Sequence, residues 1–172
     1  LAHYDQSVHK MLPVWSHHAN ENWCMIGYHA VPVIADAIVK GINGFDRTRA
    51  VEACITTARN GWYDGLDDYM ELGFVPDERT GSSVSVTLEY AYDDWCIAQI
   101  APTEDLKREF AERSRNYLNV WDPSTGFMRP RKRDGSFRKD FDVLSTHGQG
   151  FIEGNAWNYS LYVPHDPAEL IR

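Results

Sequence analysis

The chain has 172 residues, 17 Lys and Arg against 25 Asp and Glu, and a formal charge of −8. A domain of that size buries roughly 68–70% of its unfolded surface, and 43% hydrophobic with 24% charged residues excludes disordered and collagen-like chains. No apolar run approaches the ~20 residues of a membrane span, LAHYDQSVHK does not read as a signal peptide, and net acidity makes polyphosphate a poor partner, so membrane and nucleic acid are set aside.

Helical periodicity dominates. Val31, Ile34, Ala35 and Ile38 recur at i, i+3, i+4 and i+7, and Gly41 stands where a C-terminal cap belongs. Pro32 falls in the first turn of this helix or kinks it. Asp46 caps a second helix whose inner stripe is Ala50 or Val51, Cys54, Ile55 and Ala58. A short helix over 66–72 stops at Gly73. Ser85 or Thr87 opens a fourth, with Leu88, Ala91, Tyr92, Trp95 and Ala98 on one face. Thr103 caps a fifth, with Glu104 and Asp105 in its first turn and a stripe of Leu106, Phe110 and Tyr117 running toward Trp121.

Between Asp122 and Phe141 the pattern changes to a small hairpin-like excursion with turns at DPSTG and at Asp134-Gly135. Its basic residues Arg129, Arg131, Lys132, Arg133, Arg138 and Lys139 read as solvated edges and ion pairs to the acidic remainder rather than as a nucleic-acid surface. A further helix is predicted over 154–163, and Asp166-Pro167-Ala168-Glu169 starts another. Cys24, Cys54 and Cys96 form no ligand pattern and read as buried thiols inside helices. An uncapped polar helix at one end and a helix of one turn at the other predict a segment of a longer polypeptide, residues 1–172 belonging to one domain without an internal boundary.

Four stretches could carry chemistry. In SVTLEYAYDDW (85–95), Glu89 and Asp93 lie one turn apart on one face. Solvated, such a pair costs about 0.2–0.5 kcal/mol; buried, it needs hydrogen bonds, cations or a function. The plain alternative is a polar face or a hydrogen-bond network with Tyr90 and Tyr92. In FIEGNAWNY (151–159), Glu153 falls at a predicted loop-to-helix junction with Trp157 four residues on, where the indole can flank the carboxyl. Apolar neighbours raise a carboxyl pKa and a helix N-terminus lowers it; desolvation is the larger effect, so a deep site favours a proton-donating Glu153. The alternative is a residue that only complements the helix dipole. Adjacent His165 and Asp166 suggest a catalytic pair, but Asp166 already serves as a cap and no nucleophile motif accompanies them. His29, with His17 and His18 nearby, fits no HExxH spacing and reads as a hydrogen-bonded pocket or core residue.

MIGYHAVPVIADAIVKGINGFD (25–46), SVSVTLEYAYDDWCIAQIA (83–101), DPSTGFMRPR (122–131), FIEGNAWNY (151–159) and VPHD (163–166) stand in the order found in one family. The sequence resembles glycoside hydrolase family 92, the calcium-dependent exo-acting α-mannosidases, over nearly its whole length. It departs at Asn158, where the family usually has the longer Gln. The resemblance implies an all-α fold, part of an (α/α)6 toroid. It implies a parent enzyme that hydrolyses terminal α-linked mannose, of α-1,2 or related linkage, with inversion and with Glu153 as general acid.

Trp157, His29, Glu89 and Asp93 are the candidate substrate contacts beside it. The family's base motif and its Ca2+ ligands fall outside this stretch, so no metal ligand is assigned here and the isolated segment is expected to be inactive. Expected partners are mannose-containing oligosaccharides or N-glycans and the remainder of the parent chain; family habit suggests a secreted or periplasmic bacterial setting. Two alternatives stand beside this reading. One is a non-catalytic, carbohydrate-binding or degenerate homologue in which Glu153 is structural. The other is a different (α/α)6 sugar-active enzyme, such as an epimerase or lyase, using His or Tyr as acid and base.

Overall fold

The computed structural model describes residues 1–17 and 20–172. Helix α1 (Ala2–Gln6) leads into a small antiparallel pair, β1 (Ser16–His17) and β2 (Asn20–Glu21). Helices α2 (Ala30–Val39), α3 (Arg47–Thr57), α4 (Leu66–Leu72), α5 (Ser83–Ile100) and α6 (Glu104–Arg113) follow. A 3-10 turn over Asn116–Val120 then leads to the hairpin of β3 (Trp121–Asp122) and β4 (Phe127–Met128). Two short helices, α7 (Ala156–Tyr159) and α8 (Pro167–Ile171), complete the order.

Local signals account for most of these boundaries. The Asp46 carboxylate accepts the Arg49 N–H at 3.0 Å, the Thr103 hydroxyl that of Leu106 at 3.3 Å, and Asp166 that of Glu169 at 3.4 Å. Each satisfies a first-turn donor that has no partner inside its own helix. Pro32 sits in the first turn of α2, where its missing N–H costs no hydrogen bond. The excursion is also where it was expected: β3 and β4 flank a turn at Asp122, whose carboxylate accepts the Ser124 N–H at 2.9 Å, and Arg131 bridges to Phe137 across the second turn. Three of its six cations pair with carboxylates of the chain. Arg129 pairs with Asp122 at 2.8 Å, Arg138 with Asp77 at 3.3 Å, and Arg133 with Asp68.

The 18-residue α5 is the axis of packing, in contact with α2, α3, α6, α7 and the 3-10 turn. Thirteen of its residues are buried, leaving Glu89, Tyr92, Trp95 and Gln99 as one narrow outer strip, with Ile100 partly exposed at the C-terminal end. A helix covered on nearly every side has no single apolar face, so the stripe predicted through Tyr92 and Trp95 is wrong. On one side of α5 lies a cluster around Tyr90, whose ring stacks on Tyr28 at 4.9 Å and meets Tyr69 edge-on at 5.3 Å. On the other, Leu88, Ala91, Tyr117, Met128 and Phe151 join α5 to the hairpin and the chain beyond it.

Four further expectations are corrected. Ser85 and Thr87 are interior to α5, which starts two residues before Ser85. The Thr87 hydroxyl accepts the Val75 N–H at 2.9 Å, and that of Ser85 accepts the Ile152 N–H at 3.2 Å, so both hydroxyls bind distant loops. Helix α6 ends at Arg113, placing Tyr117 in the 3-10 turn and Trp121 in β3. The helix expected over 154–163 is a single turn, Ala156–Tyr159, whose start is set by Asn155, with its side chain on the N–H groups of Trp157 and Asn158. Cys54 and Cys96 are buried in helices, whereas Cys24 is exposed in the loop before α2.

Candidate active site

Glu89 and Asp93 do share one face of α5, and the group between them is His29, immediately before α2. Its Nδ1 lies 2.8 Å from Asp93 and its Nε2 2.5 Å from Glu89. The second oxygen of Asp93, a fully buried residue, accepts the Tyr28 N–H at 2.8 Å. Burial opposes a charge on His29, but the hydrogen bonds to Asp93 and Glu89 outweigh it and push the imidazole up to about 10, so it is a cation at neutral pH. Burial pushes both carboxyls upward while the imidazolium pulls them back. Gly27 makes this contact possible. It has φ +77°, and a Cβ there would lie 2.6 Å from His29 Nε2 and 2.9 Å from Glu89.

Asp94, the neighbouring residue, points about 100° further round α5 and was missed in the sequence. It accepts hydrogen bonds from Tyr28 at 2.6 Å, Tyr69 at 3.0 Å and Arg113 at 2.9 Å, tying α5 to α4, α6 and the start of α2. Burial lifts its carboxyl to about 6 against the pull of Arg113. The only signal available was the Asp-Asp doublet in a helix that holds no Lys or Arg, matched by an Arg late in the next one.

Glu153 belongs to a different kind of setting. The preceding loop is stitched to the start of α5: the Gly150 carbonyl accepts the N–H groups of Val84 at 2.9 Å and Ser85 at 3.1 Å, and Gly150 N–H donates to Gly81 at 2.9 Å. Those bonds supply the cap that Ser82 does not make with its side chain. Gly150 has φ +89°, and a Cβ there would lie 2.6 Å from Pro130. Beyond this anchor Glu153 takes a left-handed conformation, φ +52°, and its exposed side chain lines a cleft of about 500 Å³ together with Ser82, His147 and Ile152. The expected flanking indole is elsewhere. No helix spans 153 to 157, and Trp157 is 58% exposed with its ring edge-on to Phe127 at 4.9 Å. Trp157 does not bury Glu153, so the desolvation argument gains no support from it.

The Glu153 cleft adjoins a second of about 410 Å³ through Ser82 and Ile152, and that one adjoins a third of about 620 Å³ through Met25 and Ile26. His29 and Glu89 line the third. This row of adjoining clefts, the trough, has Glu153 at one end and Glu89 at the other, while Asp93 stays buried behind His29.

His165 and Asp166 do not form a pair. His165 Nε2 lies 2.9 Å from the Ser114 carbonyl and burial lowers its pKa, while Asp166 caps α8 and accepts the Tyr117 hydroxyl at 2.8 Å. His17 is exposed in β1, and His18 lies outside the described residues. Among the described residues no three His, Cys, Asp or Glu side chains converge to hold a metal ion, so the residues present do not fit a calcium site.

The whole chain, residues 1–172, matches the model of the glycosyl hydrolase family 92 catalytic domain, and the chain belongs to that family. It is similar in structure to the family GH92 α-mannosidase BT3965 from Bacteroides thetaiotaomicron, with a TM-score of 0.92 and 48% identity over 99% of this chain and 24% of that one. A structure of the same enzyme with mannoimidazole also matches, with a TM-score of 0.92 and 46% identity over 99% of this chain and 25% of that one. The inverting mannosidase BT2199 of the same organism matches with a TM-score of 0.89 and 34% identity over 98% and 24% of the two chains. A protein of Arthroderma benhamiae described as an uncharacterized secreted glycosidase is 27% identical over 84% of this chain and 24% of its own. The chain thus spans about a quarter of the length of these relatives. Its helical architecture and these matches agree with the expected part of an (α/α)6 toroid.

Proposed function

We propose that this chain is the proton-donor part of an exo-acting α-mannosidase that removes terminal α-linked mannose, of α-1,2 or related linkage, from oligosaccharides or N-glycans. The observation that carries this is Glu153, presented on a left-handed turn at the edge of a cleft in a chain that matches the family 92 catalytic domain from end to end. Similarity to α-mannosidases, one of them solved with mannoimidazole, supports mannose as the sugar. Glu153 donates its proton to the glycosidic oxygen as the bond to the anomeric carbon breaks, and is left as a carboxylate. With inversion, a second carboxyl about 6.5–9.5 Å away takes the proton of the water that attacks the opposite face. That base and the calcium expected in the parent belong to residues outside these 172. Residues 1–172 form one undivided part of the toroid, and the isolated chain does not turn over substrate. A secreted or periplasmic setting is supported by the secreted fungal relative.

In the parent protein, Glu153→Gln is expected to cut kcat/KM about 10²–10⁴-fold on mannosides with poor leaving groups. The loss on an activated aryl α-mannoside should be much smaller. Equal losses on both would remove Glu153 as the donor. Among the candidate contacts, Glu89 faces the trough with His29, Asp93 fixes His29 from behind, and Trp157 offers an open ring face.

A further inference from the structure

Four non-glycine residues have positive φ among the described residues, and three of them line the trough: Trp23 at +54°, Asp64 at +27° and Glu153 at +52°. Left-handed backbone is unfavourable for such residues and persists where the surroundings hold it. Here the surroundings do. The Glu21 carboxylate accepts the N–H groups of Val14, Trp15, Asn22 and Trp23, the last at 3.1 Å, fixing the loop that carries Trp23. On the facing loop, Asn60 accepts the Trp62 N–H at 3.3 Å and donates to the His9 carbonyl at 2.7 Å. Tyr63 donates to the Met25 carbonyl at 2.9 Å, and Tyr90 to that of Asp64 at 3.2 Å.

These anchors hold two indoles at the cleft with their faces incompletely covered. Trp62 stacks on His9 at 4.1 Å and meets Trp23 edge-on at 5.1 Å, yet the two remain 57% and 40% exposed. Beside them the half-buried Asp64 carboxylate accepts no hydrogen bond from the described residues, and burial raises its pKa against the pull of Arg79. Open ring faces beside an acceptor without a donor suit a pyranose, which presents C–H groups on its faces and hydroxyl donors at its rim.

We propose that the cleft lined by Trp23, Trp62 and Asp64 is a saccharide subsite holding the leaving-group sugar of the glycoside whose oxygen Glu153 protonates. It shares Ser82 and Ile152 with the Glu153 cleft, so it begins where the proton donor stands. The terminal mannose of an exo-acting enzyme ends at the donor, and an open trough beyond suits the part of the substrate that continues into solvent. The assignment of leaving-group side rests on the mannosidase reading.

The test compares Trp62→Ala and Asp64→Asn in the full-length parent on an α-linked mannobiose and on an aryl α-mannoside lacking the second sugar. Each variant is expected to lose about tenfold more kcat/KM on the disaccharide than on the aryl glycoside, mostly through KM. Equal losses on the two substrates, or none on the disaccharide, overturn the proposal. Trp62→Phe, which keeps a ring, should recover part of the loss and guards against a folding defect in Trp62→Ala. Wild-type parent that hydrolyses neither substrate defeats the mannosidase reading instead. The subsite is then judged by titrating the parent with mannobiose and following tryptophan fluorescence: a saturable change lost in Trp62→Ala supports a saccharide site, and no change overturns it.

Discussion

Around Asp93 and Asp94 the backbone is regular helix, and His29, Tyr28, Tyr69 and Arg113 all lie within 3.0 Å of one carboxylate or the other. Around Trp23, Asp64 and Glu153 the backbone is left-handed and the side chains face a solvent-open trough. In the first region side chains fix one another across helices. In the second the side chains stay uncommitted, and backbone bonds to Gly150, Glu21, Asn60 and Tyr90 fix them from a distance. Rigidity in the helices therefore leaves the rim free for a ligand.

Substitutions separate the two regions. Arg113→Met should have the largest effect on stability, about 3–5 kcal/mol, because it leaves buried Asp94 without its cation and forces the carboxyl either to carry an uncompensated charge or to take up a proton; chemical denaturation would read it, and a loss under 1 kcal/mol would show that the pair does not hold α5 to α6. The His29 cluster gives a pH signature. Its folded pKa of about 10 lies above the ordinary 6.5, so its stabilisation is complete below pH 6.5 and is lost as the pH rises through 10. With the side chain 32% exposed the loss should be about 2–4 kcal/mol, less than the shift alone implies. Thermal unfolding of the wild type should weaken across that window and that of His29→Gln should not; parallel curves would dismiss His29 as the source.

On the rim, Gly150→Ala should cost about 1–3 kcal/mol through its left-handed φ and the contact with Pro130. It should harm activity of the parent out of proportion, by shifting Glu153. Activity unchanged alongside lost stability would argue against the loop as the positioning device. Trp157→Ala should be mildest, about 0.5–1.5 kcal/mol from its edge contact with Phe127, measurable as a small change in denaturation midpoint.

How legible each region was follows from how far its determinants lie apart. Asp46, Thr103 and Asp166 cap helices within three residues of themselves, so those starts could be read directly. The start of α5 could not, because its cap is the carbonyl of Gly150, more than sixty residues away, and the hydroxyls of Ser85 and Thr87 serve other loops. The Glu89–Asp93 face was visible from spacing, but only the fold brings His29 between them. Glu153 was found by motif, while its supposed shield failed because Asn155 starts a new helix between it and Trp157. Trp23 and Asp64 left a fainter trace: Asp64-Gly65 is a turn pair, yet nothing local says that two turns forty residues apart will face one cleft.

The bonds from Gly150 to Val84 and Ser85 also divide the loop into parts with different freedom to vary in length. Residues 144–147 are mostly exposed and precede the staple, so insertions there lengthen a surface bulge without moving Glu153. Between Gly150 and Asn155 an added residue would have to pass between two fixed points, the first turn of α5 and the capped start of α7. Homologues with longer loops at this edge of the trough should therefore carry their extra residues before the staple, leaving the five-residue spacing from Gly150 to Asn155 intact.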